Sequence, residues 1–241
     1  MGERLTSIWV YLAQTPLLWL TATLIIFQLT NWLYKRAGKP PWLNPVLTAI
    51  ILIAALLVVT GTPYQAYFDG AQFVHFLLGP ATVALAIPLY EQRKTLKRLL
   101  MPLLGALLTG SVAAVLTVIA FARLLGVSAP STLSLVPKSV TSPVAMGIAE
   151  KIGGIPSLTA VMVILTGIFG AVAGPSIIDL IGVKEPEVRG FSIGLASHGI
   201  GTARAFQIDE VTGAFSGMAM GMNACVTPLI APVLVSLLHL T

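Results

Sequence analysis

Residues 137–147 read PKSVTSPVAMG. They place a lysine, three hydroxyl side chains and two prolines inside a chain that is otherwise strongly apolar. A lone ammonium group finds no partner in hydrocarbon, so this segment must face protein, water or a ligand. Residues 196–205, ASHGIGTARA, have the same character. The two polar segments together predict the working site of a small membrane transporter.

The composition is typical of an all-α polytopic membrane protein. Of the 241 residues, 56% are hydrophobic and 10% are charged, whereas soluble domains carry about 25% charged residues. The apolar runs are continuous rather than alternating, which argues against a membrane β-barrel. The basic residues lie in short clusters between apolar runs, as in cytoplasmic loops, so we expect no nucleic-acid partner. The single cysteine, Cys225, excludes an intrachain disulfide and a cysteine-based metal cluster.

The apolar runs predict about six to eight transmembrane segments in one integral membrane domain. Complete spans are expected at residues 5–34, 43–60, 99–122, 152–178 and 211–240. Three segments are interrupted or polar, namely residues 70–90, 128–150 and 190–208. The first of these should break near Gly79-Pro80, because proline removes a backbone donor and clashes with the preceding turn. Residues 64–69 are expected to form an interfacial connection before it.

The charged loops leave two topologies open. Basic loops at residues 35–39 and 93–98 should both be cytoplasmic, which places the N-terminus outside. If residues 128–150 cross fully, there are eight spans and the loop at residues 184–189 lies outside. If they are re-entrant, that loop lies inside, which obeys the charge rule better. Residues 190–208 would then re-enter from the opposite face.

A shift of 57 residues relates two parts of the chain. Residues 139–175 lie over residues 196–232, each with a short polar segment followed by a long apolar helix that contains an aligned proline. A looser third copy covers residues 70–123. We therefore expect a core at about residues 43–240, with a peripheral first span before it. Its predicted repeat units lie near residues 70–125, 131–181 and 190–240.

The first polar segment supplies a candidate anion site. Lys138 either snorkels to the membrane interface or attracts an anionic substrate. The hydroxyl groups of Ser139, Thr141 and Ser142 favour a lined cavity. Free backbone amides at the start of a half-helix near Pro143 would add positive potential for a carboxylate.

The second polar segment supplies further candidates. Arg204 matches a carboxylate with its guanidinium fork, or pairs instead with a local acid or a lipid phosphate. His198 has no evident carboxylate neighbour for nucleophilic catalysis, so packing or proton coupling is expected of it. The complete predicted substrate site is Thr82, Lys138, Ser139, Thr141, Ser142, His198, Gly199, Gly201, Thr202, Arg204 and Asn223. For Asn223, an interhelical hydrogen bond is the default expectation.

The sequence contains no phosphate-binding loop, HExxH motif or paired-carboxylate arrangement. An enzyme is therefore not expected, and neither is a metal or a cofactor. A carrier would instead use H⁺ or Na⁺ as a candidate coupling ion.

Three stretches in order resemble the LrgB family. They are residues 77–91 (LLGPATVALAIPLYE), residues 136–143 (VPKSVTSP) and residues 196–204 (ASHGIGTAR). The resemblance covers residues 43–240, although Ser142 stands where many members have threonine and Gly79 stands in a variable position. The plastid glycolate/glycerate translocator is a distant fused relative of this family.

The resemblance implies a multi-pass plasma-membrane protein, often paired with a small LrgA-type membrane partner. Members are described as antiholin-like regulators of murein hydrolase export, or as carriers of small carboxylates such as glycolate, glycerate or pyruvate. The residues favour the carrier, because a holin-like pore needs lipid-stable helices and not cations in broken segments. The expected partners are the lipid bilayer, a small carboxylate, an LrgA-type protein and further copies of the chain.

Overall fold

Helices make up the regular secondary structure of residues 16–38, 40, 43–77, 80, 83–84 and 86–239, the part of the chain that this computed structural model describes. Four of these helices are long and apolar enough to cross a membrane. The predicted all-α polytopic membrane class is therefore confirmed. Backbone contacts divide the chain into two compact units, Met1–Ala84 and Leu85–Thr241. The prediction of a single integral domain stays a prediction.

The described residues of the first unit include three helices, α1 (Pro16–Arg36), α2 (Pro45–Thr60) and α3 (Tyr64–Phe76), and α1 packs against both of the others. The side chain of Asn44 caps α2 by accepting hydrogen bonds from the backbone amides of Val46 and Leu47. Gly61 ends the helix in the left-handed conformation. At 16 residues, α2 is shorter than the roughly 20 residues of a full span. Residues 64–69 form the first turns of helix α3, and their predicted place at the membrane interface stays a prediction.

The second unit contains the remaining helices of the described chain. They are α4 (Ala86–Glu91), α5 (Arg93–Leu124), α6 (Ala129–Leu135), α7 (Ser142–Ile152), α8 (Pro156–Leu180), α9 (Pro186–Ile208) and α10 (Glu210–Leu237). Helix α3 ends and α4 begins on either side of the predicted break at Gly79-Pro80, and Gly79 itself lies outside the described residues. Helices α5, α8 and α10 are candidate membrane spans.

Helix α9 reverses direction at His198, where the backbone is non-helical with φ +42°. A Cβ atom built on Gly201 would lie 3.2 Å from the carbonyl oxygen of Ile193, whereas a straight helix would separate these residues by about 12 Å. Before the reversal, Gly194 packs against Ser216 of α10; after it, Thr202 bonds the same serine. Residues 186–208 therefore form a helical hairpin, here called hairpin 2, with its tip at His198.

Residues 129–152 form a second reversal, here called hairpin 1. Helix α6 lies beside the start of α8, because Ser134 accepts a 2.7 Å hydrogen bond from the amide of Ile155 and its carbonyl accepts one of 2.9 Å from Thr159. After its contact with the start of α8, the chain passes through tight turns at residues 136–140. It then returns along α7 to the start of α8. The tip of hairpin 1 therefore lies at the break before Ser142.

The two hairpins occupy opposite ends of α5. Phe191 of hairpin 2 packs with Leu103 and Leu107 in the N-terminal half of α5. Ile148 of hairpin 1 packs with Ile119 in its C-terminal half. Neither polar segment is a plain span, so this geometry agrees with the re-entrant topology of the two left open by the sequence.

Each hairpin is followed by a long helix with a proline inside it. The last residues of these helices, Leu180 of α8 and Leu237 of α10, are 57 positions apart. Pro175 of α8 and Pro232, one of the two prolines inside α10, are separated by the same number of positions. These coincidences match the sequence shift on which the predicted duplication rests.

Candidate functional site

The tips of the two hairpins meet at one cavity of about 380 Å³. Hairpin 1 contributes residues 138–139 and hairpin 2 contributes residues 192–193 and 195–197. Helix α5 contributes Gly110 and Ala114. The remaining described wall is one face of α8, formed by Thr166, Phe169, Gly170, Gly174, Ile177 and Ile178. The sequence predicted that the two polar segments meet inside the protein, and the cavity lies between them.

The polar wall of the cavity on hairpin 1 comes from Lys138 and Ser139. Lys138 is half-buried, and Ser139 is 8% exposed. Both residues lie in the non-helical break, where tight turns replace α-helical geometry. Thr141 and Ser142 do not line the cavity; Thr141 is the residue before α7 and Ser142 is its first residue. The predicted half-helix therefore begins one residue before Pro143.

The tip of hairpin 2 is held by His198, which is 4% exposed and lies behind the cavity wall. Its Nε2 lies 2.9 Å from the carbonyl oxygen of Val163 in α8, and this nitrogen donates because a carbonyl only accepts. The ring fits there because Gly167 has no side chain: a Cβ atom at Gly167 would lie 2.6 Å from the ring. Thr202 donates a 2.8 Å hydrogen bond to the carbonyl of His198. Both predicted residues therefore hold the reversal.

Asn223 connects the two hairpins from the middle of α10, and it is 1% exposed. Its Nδ2 donates to the carbonyl oxygen of Ser139 at 3.4 Å and to that of Leu195 at 3.1 Å. Its Oδ1 accepts from the hydroxyls of Ser111 and Thr227, both at 2.8 Å. The predicted interhelical bonding of Asn223 is present, and it reaches both tips at once.

Arg204 lies six residues beyond the tip of hairpin 2 and is 8% exposed. Its Nη1 donates to Oε1 of Gln207 at 3.2 Å. Arg204 is not among the described residues that line the cavity. Thr82 lies outside the described residues.

The two glycines predicted to admit substrate lie within hairpin 2. Gly201 is buried against Ile193 and Ser197, where a Cβ atom would lie 2.5 Å from that of Ser197. Gly199 lies nearest the sulfur of Met220. In this conformation Gly201 lets the two halves of the hairpin approach each other.

Sequence reasoning missed several residues of the site. Ser197 and Gly170 line the cavity and press against each other, since a Cβ atom at Gly170 would overlap the hydroxyl of Ser197. Gly110 and Ser111 lie in the predicted span of residues 99–122; Gly110 lines the cavity and Ser111 bonds Asn223. For Gly110 and Ser111 the one signal is a serine beside a glycine in mid-helix.

Comparisons with known proteins place the chain in a family. The model of the LrgB-like family matches residues 23–237. The uncharacterized protein YxaC of Bacillus subtilis is 37% identical over 208 residues, covering 86% of this chain and 90% of its own. The holin-like protein CidB of Staphylococcus epidermidis is 31% identical, covering 90% and 94%. The antiholin-like protein LrgB of Bacillus cereus is 30% identical, covering 90% and 95%. No solved structure matches the chain significantly. The protein therefore belongs to the LrgB-like family of multi-pass membrane proteins.

Proposed function

We propose that this protein is a secondary carrier of small monocarboxylates of the glycolate, glycerate or pyruvate class. The observation that carries the proposal is the cavity between two helical hairpins, which brings Lys138 and Ser139 to face Ser197. Broken helices that meet at mid-membrane are the usual means by which transporters expose polar groups to a substrate. The substrate passes through chemically unchanged.

The lining of the cavity favours one carboxylate. Lys138 is the one charged side chain among its described lining residues. An ammonium and neighbouring hydroxyls match one carboxylate well. The α8 wall presents Phe169, Ile177 and Ile178, where a second carboxylate would lose its hydration without gaining a partner. A short monocarboxylate places its charge at Lys138 and its body against this wall.

The opposed hairpins and the shift of 57 residues support alternating access between two inverted repeats. The loop with Lys184 joins α8 to hairpin 2, whose first turn contains Arg189, at the end of α5 that carries the basic cluster of residues 93–98. The charge rule assigns that end to the cytoplasm. The same rule places the N-terminus outside, through the basic residues that end α1.

The proposal also names the membrane, the coupling ion and the partners of the carrier. The carrier works in the plasma membrane and couples uptake to H⁺ or Na⁺. An LrgA-type protein or further copies of the chain are its proposed partners.

The test is uptake of labelled glycolate, glycerate and pyruvate by proteoliposomes. The parent protein should show saturable uptake with competition among the three acids. Lys138→Gln should reduce uptake at low substrate by about 10- to 100-fold, the range expected for a lost charge-assisted hydrogen bond. Lys151→Gln is the matched control, because Lys151 is exposed at the last turn of α7. Equal uptake by the two variants would remove Lys138 from the site.

The names of the CidB and LrgB relatives favour a second candidate, a holin-like or antiholin-like regulator of lysis. This candidate predicts leakage of an encapsulated dye, or altered lysis of cells that express the protein, without saturable uptake. Flux that shows neither saturation nor competition would favour this second function over the carrier.

A further inference from the structure

Asn223 is the one described side chain that bonds the backbone of both hairpin tips. It lies 13 residues after the start of α10 and 14 before its end, so it is at mid-depth of a helix long enough to cross the membrane. Both of its amide hydrogens and its oxygen have partners. A buried amide satisfied on both sides restricts its partners to one arrangement.

The two carbonyls that Asn223 binds lie at or close to the helix breaks. Ser139 lies in the non-helical break of hairpin 1, and Leu195 lies three residues before the reversal at His198. Carbonyls at the C-terminal end of a helix lack partners within that helix. In a membrane such groups need a donor from elsewhere in the protein, and the Nδ2 of Asn223 supplies it to both.

The distances also limit how far apart the tips lie. The two carbonyl oxygens are 3.4 and 3.1 Å from the same nitrogen, so they lie at most about 6.5 Å from each other. Ser139 and Leu195 both line the cavity. The amide of Asn223 therefore sets the separation between the Lys138 wall and the wall formed by hairpin 2.

We infer that Asn223 is a positioning residue for the carboxylate site: it holds the two hairpin tips in register and does not bind the substrate itself. This inference rests on the proposed carrier function. Asn223 is not among the described residues that line the cavity. Its effect on substrate passes through the carbonyls of Ser139 and Leu195.

Two substitutions separate the roles of the amide. Asn223→Asp keeps the size and the oxygen that accepts from Ser111 and Thr227, but it removes the nitrogen donor. Asn223→Leu removes both the oxygen acceptor and the nitrogen donor. Thr117→Val is the control, because the Thr117 hydroxyl bonds only carbonyls of its own helix. Both Asn223 variants should raise KM for glycolate by about tenfold, equivalent to one buried hydrogen bond of about 1.4 kcal/mol.

A second readout reports tip separation without transport. In a Cys225→Ser background, the pair Ser139→Cys and Leu195→Cys is treated with a short bifunctional thiol reagent. The inference predicts efficient crosslinking with Asn223 or with Thr117→Val, and at least a tenfold loss of crosslinking rate with either Asn223 substitution. If Asn223→Leu does not fold, the crosslinking rate of Asn223→Asp alone tests the inference.

The outcomes are distinct. Crosslinking that is unchanged in the Asn223 variants overturns the inference, whatever happens to KM. Lost crosslinking with unchanged KM also overturns it, because tip separation would then not affect the site. If the parent protein transports no carboxylate, the proposed function fails, and crosslinking decides whether Asn223 holds the tips together.

Discussion

Gly170→Ala tests the packing of hairpin 2 against α8. A Cβ atom at position 170 would overlap the hydroxyl of Ser197 and lie 2.6 Å from its Cβ atom. Carbon atoms in contact prefer about 3.5–4.0 Å, so roughly 1 Å of displacement is needed. The hydroxyl can rotate away, but the Cβ atom is fixed to the backbone. The hairpin or the helix must therefore move, and overpacking of this kind costs about 1–3 kcal/mol.

Gly174→Ala is the matched control for this substitution. Gly174 lies one turn further along α8 and also lines the cavity, yet a Cβ atom there would meet nothing within 4 Å. Both substitutions gain the same helix propensity, about 1 kcal/mol in favour of alanine. The difference between the two variants therefore isolates the clash with Ser197.

Thermal unfolding in detergent measures this difference. For a chain of this size, about 1 kcal/mol shifts the midpoint by roughly 2–4 °C. Gly170→Ala should therefore unfold about 2–12 °C below Gly174→Ala. Its KM for glycolate should also rise, because Ser197 is displaced in the cavity wall. Equal midpoints and equal KM values for the two variants would refute the described contact between α8 and hairpin 2.

Two further predictions concern the tip and the topology. His198→Gly should be more stable than His198→Ala by about 1 kcal/mol in thermal unfolding, because only glycine adopts a positive φ without strain; the reverse order would indicate ordinary helical backbone. In a Cys225→Ser background, the single-cysteine variants Lys94→Cys and Lys184→Cys should react with an impermeant maleimide from one face of oriented vesicles. The variant Lys151→Cys should react from the other face. Labelling of all three from one face would contradict opposed hairpins.

Much of the fold follows from local features of the sequence. The charge-free runs predicted α5, α8 and α10, because only an apolar helix satisfies its backbone in lipid. Lys138 and the hydroxyls after Pro137 predicted the break of hairpin 1. The helical conformation of residues 64–69 was not predicted, because nothing in YQAYFD marks where a helix begins.

The sequence by itself determined that two polar segments interrupt an apolar chain, since the penalty for burying polar groups in lipid acts on each segment separately. Only the tertiary structure decided which groups face the cavity between them. Ser197 reaches it because Gly170 has no side chain, and Asn223 reaches both tips from a distant helix. Arg204 has the charge that an anion requires, but it lies outside the described wall of the cavity. Such placements depend on the reversal at His198, which brings residues together by packing and hydrogen bonding rather than by sequence spacing.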